Sequence, residues 1–113
     1  MNLQTDSKDG VVITKFSGNL LGETYYQPMV EMVQEKIAAG EKLFILELSE
    51  LKYANSTGLG GMLTMLTKAR NSGGELILVN VPESLRKLIE MTKLDRIFRE
   101  EDDIDTAIQA LKS

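Results

Sequence analysis

The chain of 113 residues contains no cysteine and no histidine. Without cysteine there can be no disulfide, no thiolate nucleophile and no cysteine-ligated metal. Without histidine, the commonest general base and the commonest metal ligand are both missing. We therefore expect a protein that is not an enzyme and that holds no metal and no cofactor.

Three further absences narrow the class of protein. No apolar run approaches the roughly 20 residues of a membrane span, so we expect no membrane insertion. Residues 1–6 lack the basic-then-apolar layout of a signal peptide, which favours a cytoplasmic location. The net charge of -4 argues against nucleic-acid binding, since that function needs a clustered basic surface.

What the chain does contain is typical of a folded domain. Hydrophobic residues make up 42% of it and charged residues 27%, which matches a globular protein rather than a disordered one. Its length fits a single unit that can bury its own core. We expect one complete domain over residues 1–113, as a monomer or a weak dimer.

Apolar strands and amphipathic helices alternate along the chain. We predict strands over 3–6 and 11–16, a helix over 23–39, a strand over 43–48, a helix ending near 70, a strand over 75–80, a short helix from 82, a short strand over 97–99, and a last helix entered at 102–103. Alternation predicts crossovers, and a hairpin turn at Lys8-Asp9-Gly10 adds one antiparallel pair. The fold class is α/β: a mixed, mainly parallel sheet of four to five strands packed against about four helices.

Turn and cap residues set the expected ends of these elements. Ser17-Gly18-Asn19 should end the second strand. Pro28 fits only near the first turn of its helix, because proline has no N–H to donate. Gly40 should cap the C-terminus of that helix.

The junction between the third strand and the second helix is the most informative segment. Residues 55–61 read Asn-Ser-Thr-Gly-Leu-Gly-Gly. Each glycine inside a helix costs roughly 0.5–1 kcal/mol relative to alanine, so their clustering predicts a close approach at this N-terminus. Free backbone N–H groups and the helix dipole favour an anion there.

Ser56 can cap this helix, bind a phosphate ligand or carry a phosphate itself. No lysine follows the glycines, so the segment is not a P-loop, and its glycine spacing differs from that of a dinucleotide fingerprint. A nucleophilic serine needs an activating base, and nothing supports Lys52 in that role. The acidic run at 100–103 indicates a solvated helix entry rather than a metal site.

Helical spacing divides the second helix into two stripes. The first should face the sheet; it contains Leu59, Met62, Leu63, Leu66 and Ala69. The second contains Gly58, Gly61, Met65 and Lys68. Two interpretations of the second stripe are open: its glycines permit close packing inside the fold, or a partner lies against it beside Ser56.

Residues 46–60, Leu-Glu-Leu-Ser-Glu-Leu-Lys-Tyr-Ala-Asn-Ser-Thr-Gly-Leu-Gly, resemble the signature of STAS domains, the sulphate transporter and anti-sigma factor antagonist family. They are most similar to the stand-alone bacterial anti-sigma factor antagonists. That family's pattern is an apolar strand, then Asp-Leu-Ser, then a loop ending in Asp-Ser-Ser/Thr-Gly-Leu-Gly at a helix start. The element order and the later Gly-Gly-x-Leu-x-Leu-Val strand extend the resemblance over nearly the whole chain.

The resemblance implies a binding module controlled by phosphorylation. Ser56 would be phosphorylated by a partner that is both a serine kinase and an anti-sigma factor. The unphosphorylated form would bind that partner and release the sigma factor, and a PP2C-type phosphatase would restore this form. ATP and magnesium would belong to the kinase. The partner-binding residues would be Asn55, Ser56, Thr57, Gly58, Leu59, Gly61, Met65, Asn19 and Leu21.

Two positions depart from the family pattern. Asn55 stands where an aspartate is usual, which either alters kinase recognition or makes Asn55 principally a helix cap. Leu21 lies nearest the place of another frequent aspartate. Two alternatives therefore stay open: a STAS scaffold in a sensory or lipid-transport assembly without phosphate control, and a module that binds a small anionic ligand or nucleotide.

Overall fold

The computed structural model describes residues 2–113, apart from the side chains of residues 2 and 23–25. The elements within this range are β1 (Asn2–Lys8), β2 (Val11–Leu20), α1 (Glu23–Ala38), β3 (Leu43–Ala54), α2 (Ser56–Asn71), β4 (Glu75–Val79), α3 (Glu83–Met91), β5 (Arg99–Glu101) and α4 (Ile104–Lys112). They form one sheet in the order β1-β2-β3-β4-β5, antiparallel between β1 and β2 and parallel elsewhere. The predicted α/β fold with a mixed, mainly parallel sheet is confirmed.

The strand order explains the position of the helices. Each parallel strand lies beside the one before it, and right-handed crossovers in a constant direction place every connecting helix on the same face. The main core lies there, between the sheet and α1, α2 and α3. A smaller cluster on the opposite face joins the sheet to α4 through Val11, Ile45, Ile77, Ala107 and Ile108. No helix within residues 2–113 has the length and apolar character to cross a bilayer.

The hairpin and the cap of α1 form as expected. Asp9 and Gly10 have φ angles of 55° and 79°, which gives β1 and β2 a two-residue turn with both central residues left-handed. Gly40, at φ 98°, follows the last turn of α1. The N–H of Glu41 donates back to the Lys36 carbonyl at 2.9 Å and closes that helix end.

Three expected strand boundaries and the expected position of Pro28 are wrong. The strand β2 does not end at Ser17–Asn19 but runs to Leu20, because two register shifts against β3 and the φ of 110° at Gly18 absorb the irregularity. Its partner β3 extends beyond 48 to Ala54. Pro28 lies in the second turn of α1 with its ring at the surface, and, having no N–H, it cannot donate to the preceding turn of the helix. The strand β5 begins two residues later than expected, at Arg99.

The helix α2 is buried on two sides. The stripe predicted to face the sheet does so, with Leu63 half-buried and the other members buried. Gly58, Gly61 and Met65 of the second stripe are buried as well, against α1 and the end of β2. The expectation that a partner lies directly against this stripe does not hold, because the fold's own elements already occupy it.

The two buried glycines are required by specific neighbours. A Cβ on Gly58 would overlap the carbonyl oxygen of Leu20, and a Cβ on Gly61 would overlap the ring of Tyr26. Gly60 lies between them on the exposed side, where nothing would contact an added Cβ. Glycine at these two positions lowers the helix propensity of α2. This loss is offset by the close packing of α2 against Leu20 and Tyr26, which a residue with a Cβ would prevent.

Alanine substitutions of these glycines should have opposite effects. We expect Gly58→Ala to lower the free energy of unfolding by more than about 2 kcal/mol, because the main chain at Leu20 or at the start of α2 must move to make room for the added Cβ. Gly60→Ala should stabilise it by about 0.5–1 kcal/mol through helix propensity. Urea unfolding of both variants measures the difference, and equal effects at the two positions would contradict the packing described above.

Candidate functional site

Asn55 joins the start of α2 to the end of β2. Its backbone N–H donates to the Leu20 carbonyl at 3.2 Å, and its Nδ2 donates to the Leu21 carbonyl at 2.7 Å. Its Oδ1 accepts from the N–H of Gly58 at 2.9 Å and so caps α2. These three bonds hold the corner at which β2 ends and α2 begins.

The same three bonds explain the residue type at this position. The side chain must donate to a carbonyl on one side and accept from an N–H on the other, which an amide does and an ionised carboxylate does not. The hydrogen-bond partners thereby also fix which side-chain atom is nitrogen. Of the two interpretations of Asn55, the role as a helix cap is the one that the structure contains.

Ser56 and Thr57 occupy the first turn of α2 with both residues exposed. The first bond within the helix runs from the N–H of Leu59 to the Asn55 carbonyl, so the N–H groups of Ser56 and Thr57 have no intrahelical acceptor. The first turn contains no acidic residue. The dipole of α2 is therefore uncompensated where Ser56 lies, and this corner favours a negative charge.

The predicted partner-binding residues divide into an accessible and an inaccessible group. The accessible ones are Leu21, Asn55, Ser56 and Thr57, and hydrogen bonds through Asn55 bring them together at one corner. Gly58, Leu59, Gly61 and Met65 belong to the inaccessible group.

Asn19 is half-buried, and its Oδ1 is a buried atom with no hydrogen-bond partner among the described residues. It lies opposite Tyr53 in the pairing of β2 with β3. Tyr53 is 66% exposed, three residues before Ser56. The sequence prediction did not include this tyrosine, although a large aromatic residue directly before the predicted site is a signal that could have singled it out.

Two surface cavities lie away from this corner. The larger, of about 700 Å³, is lined by residues of β1, β2 and the start of α4, including Asp6, Asp103 and Asp105. The other, of about 420 Å³, lies between the C-terminal ends of α1 and α2. Neither includes Asn55 or Ser56, so neither supports a nucleotide pocket at the glycine-rich junction. Among residues 2–113, no group of three acidic side chains converges as a metal site would require.

Glu47 ties the middle of the sheet to the loop after β4. Its carboxylate accepts from the Ser49 N–H at 2.6 Å and from the Asn80 amide at 3.2 Å. Burial alone would raise the pKa of Glu47, but the hydrogen bonds from Ser49 and Asn80 and the charge of Lys15 together lower it. The ionised form of Glu47 therefore stabilises the positive-φ turn at Asn80.

Substitutions at Asn55 should separate capping from strand attachment. Asn55→Ala removes the cap and the bond to Leu21, and we expect it to cost about 1–3 kcal/mol of unfolding free energy. Asn55→Asp keeps an acceptor for Gly58 and loses only the donor to Leu21, so it should cost less. Chemical denaturation at neutral pH compares the two, and a larger loss in the aspartate variant would be inconsistent with this geometry.

The lowered pKa of Glu47 should appear as a pH-dependent stability. Because the folded-state pKa lies below the unfolded one, the contribution of Glu47 is present above the unfolded pKa and is lost as pH falls through the folded one. The stability difference between the wild type and Glu47→Gln should therefore shrink on acidification. Denaturant titrations from neutral to acidic pH measure this difference in unfolding free energy. Glu31→Gln, which changes an exposed residue on α1, is the control.

Comparison with known proteins agrees with this geometry. The family model described as STAS domain matches residues 2–107. BtrV of Bordetella bronchiseptica, which is named a putative anti-sigma factor antagonist, is 27% identical over 113 residues, covering 100% of this chain and 97% of that protein.

Three solved structures, of two proteins, share the fold. The crystal structure of a putative anti-sigma factor antagonist from Thermotoga maritima superposes with a TM-score of 0.88 at 26% identity, covering 98% of this chain and 95% of that one. SpoIIAA in its unphosphorylated form gives a TM-score of 0.76 at 18% identity over 99% of both chains. Its phosphorylated form gives 0.70 at 18% identity, covering 96% of this chain and 98% of that one. The chain belongs to the STAS domain family.

Proposed function

We propose that this STAS domain is an anti-sigma factor antagonist whose binding to its anti-sigma factor is switched off by phosphorylation of Ser56. The observation that carries the proposal is that the helix cap and the exposed hydroxyl at the α2 N-terminus belong to two different residues. Asn55 supplies the side-chain cap, which leaves the hydroxyl of the neighbouring, exposed Ser56 free for modification. The names of the relatives, which are anti-sigma factor antagonists, support the same role.

The fold should tolerate a phosphate on Ser56. A phosphoserine adds about -1.5 to -2 charges and three acceptor oxygens at neutral pH. At the first position of α2 this charge faces free N–H groups and an uncompensated dipole, which is worth about 0.3–1 kcal/mol to an exposed anion. The likeness to SpoIIAA in both forms supports a switch that acts locally rather than by refolding.

The same phosphate should expel a close-fitting partner. Desolvating a doubly charged group against a surface that offers it no counter-ion costs several kcal/mol, and each 1.4 kcal/mol is a tenfold loss of affinity. In the proposed cycle the anti-sigma factor is itself the serine kinase, and a PP2C-type phosphatase removes the phosphate. The unphosphorylated form then binds the anti-sigma factor again and the sigma factor is released.

The Asn55 network favours one alternative function. No carboxylate precedes the acceptor serine, so a kinase that requires one would not modify this chain. The domain would then be a STAS scaffold that binds its partner without phosphate control. The two functions differ in a single measurable property, the response of binding to charge at Ser56.

Phosphorylation can be tested directly with the kinase-type anti-sigma factors of the same genome. We expect intact-mass spectrometry after incubation with ATP to show one added phosphate on the wild type and none on Ser56→Ala. Thr57→Ala, which alters the other exposed hydroxyl of the first turn, is the matched control and should still be modified.

Binding gives the second half of the test. Calorimetric titration with the same anti-sigma factor should show affinity for the wild type and for Ser56→Ala, and a loss of at least about tenfold for Ser56→Asp, because the carboxylate mimics part of the phosphate charge. Equal affinity of all three forms would support the scaffold function and contradict the switch.

A further inference from the structure

The two edges of the sheet differ in length and in charge. The edge strand β5, Arg99–Glu101, has three residues, and all of them are charged. The edge strand β1 has seven residues, of which only Asp6 and Lys8 are charged, and it pairs with β2 along its whole length without a register shift. Sheet edges are ordinarily protected from other chains by shortness, proline, bulges or dense charge. Shortness and charge protect β5, whereas β1 is a long and regular edge whose residues 4–8 are exposed.

The outer side of β1 carries backbone groups that can bond to another strand. In the described part of the chain, β1 pairs with β2 alone. The pair that flanks a two-residue hairpin turn, here Lys8 and Val11, is hydrogen-bonded, and such pairs alternate along an antiparallel ladder. The N–H and C=O groups of Leu3, Thr5 and Ser7 therefore point away from β2. These groups form a row of donors and acceptors to which a further strand can pair.

A second copy of β1 in antiparallel orientation matches this row. With Thr5 opposite Thr5 of the second copy, all seven residues of the strand overlap, and Leu3 lies opposite Ser7. The residues with outward backbone groups then face one another, as an antiparallel ladder requires. On the other face of the strand, neither of the two charged residues of β1 lies opposite a charge.

Other registers of the same pairing are less favourable. A pair centred on Asp6 places two carboxylates directly opposite each other, which destabilises a cross-strand pair. A pair centred on Gln4 or Ser7 leaves part of each strand without a partner. The pair centred on Thr5 places two threonines opposite each other, which is a favourable cross-strand combination. Charge and strand length together select this register.

We propose that β1 is an edge for self-association, through which two copies of this chain pair antiparallel about Thr5. The product is one continuous sheet of ten strands, five from each copy. A symmetric pair of antiparallel edge strands has its two-fold axis perpendicular to the sheet, so the α2 helices of both copies lie on the same face. Ser56 is not part of this edge, so the inference does not depend on the proposed function.

Opposite charges at Thr5 test both the pairing and its register. We expect sedimentation velocity of the full chain to show dimers that increase with concentration. Thr5→Lys and Thr5→Glu each place like charges opposite each other, so each variant alone should dimerise at least about tenfold more weakly. An equimolar mixture of the two should regain dimers, because the lysine of one copy then faces the glutamate of the other.

Three outcomes of this experiment would overturn the proposal. The first is a wild type that sediments as a monomer at every concentration. The second is a dimer that both charged variants leave intact, since the contact would then lie elsewhere. The third is a mixture that dimerises no better than either variant alone, because the strands would not be centred on Thr5.

Neutral and remote substitutions serve as matched controls. The Thr5 hydroxyl lies 3.4 Å from the Thr14 hydroxyl, and every substitution to a longer side chain loses this contact. Thr5→Gln loses it without adding charge and should dimerise within about threefold of the wild type. Thr92 is an exposed threonine at the end of α3, so Thr92→Lys and Thr92→Glu change the net charge away from β1 and should leave dimerisation within about twofold. Thermal unfolding of all variants separates loss of pairing from loss of structure.

A single cysteine gives an independent measurement, because the chain has none of its own. In the dimer of Thr5→Cys the two thiols lie directly opposite each other, within reach of a disulfide. Under mild oxidation this variant should cross-link at least about tenfold faster than Ser84→Cys, which places the thiol on the exposed side of α3. Equal rates for the two variants would show random collision and contradict the pairing. Both measurements use this chain alone, so their failure would leave the proposed binding of an anti-sigma factor untouched.

Discussion

The close approach of α2 to the end of β2 is the constraint on which the rest of the site depends. Gly58 lies against the Leu20 carbonyl without room for a Cβ, and Asn55 bonds to the carbonyls of both Leu20 and Leu21. Backbone-to-backbone contact of this kind tolerates little displacement, since interiors are packed at crystal density. The position of Ser56 relative to Leu21 is thereby fixed by main-chain geometry rather than by flexible side chains.

This constraint also decides which surface α2 can offer. A helix pressed against a strand end on one side and against Tyr26 on another has one side left for contact with other molecules. The glycines thus act indirectly: they draw α2 into the fold and turn its hydroxyl-bearing side outward. The exposed side of α2 is thus determined by the burial of its other stripes rather than by its own residues.

The sequence was sufficient for the architecture, whereas the role of Ser56 stays a prediction. Periodicity predicted the helices and the central strands β3 and β4 well, because these have a strong apolar pattern that their burial requires. The edge strand β5, Arg99–Glu101, has no such pattern, and its position was wrong by two residues. The extension of β2 through Gly18 was missed, since a bulge restores pairing in a way that local composition does not reveal. The extension of β3 was missed because Ser49, Glu50 and Lys52 are exposed where α4 no longer covers the sheet.

The faces of α2 show where sequence reasoning reaches its limit. Spacing alone identified two stripes but could not say whether Gly58 and Gly61 face a partner or the same chain, because both demand a missing Cβ. The charge-free run from Tyr53 to Thr67 was visible in the sequence. Which of these residues face solvent became clear only from the burial of the other two sides of α2. Tertiary contacts, rather than the residue pattern, selected the exposed surface.

The sequential strand order has a consequence for how the chain acquires its structure. Every strand pairs with the strand that precedes it, so no contact within the sheet requires a segment that has yet to be synthesised. Each new strand can add to a completed edge as it leaves the ribosome. Because each pairing closes only the loop between consecutive strands, the entropic cost of loop closure stays small. The corner that holds Ser56 needs only β2, β3 and α2 to form. This corner of the domain can therefore assemble before the second half of the sheet exists.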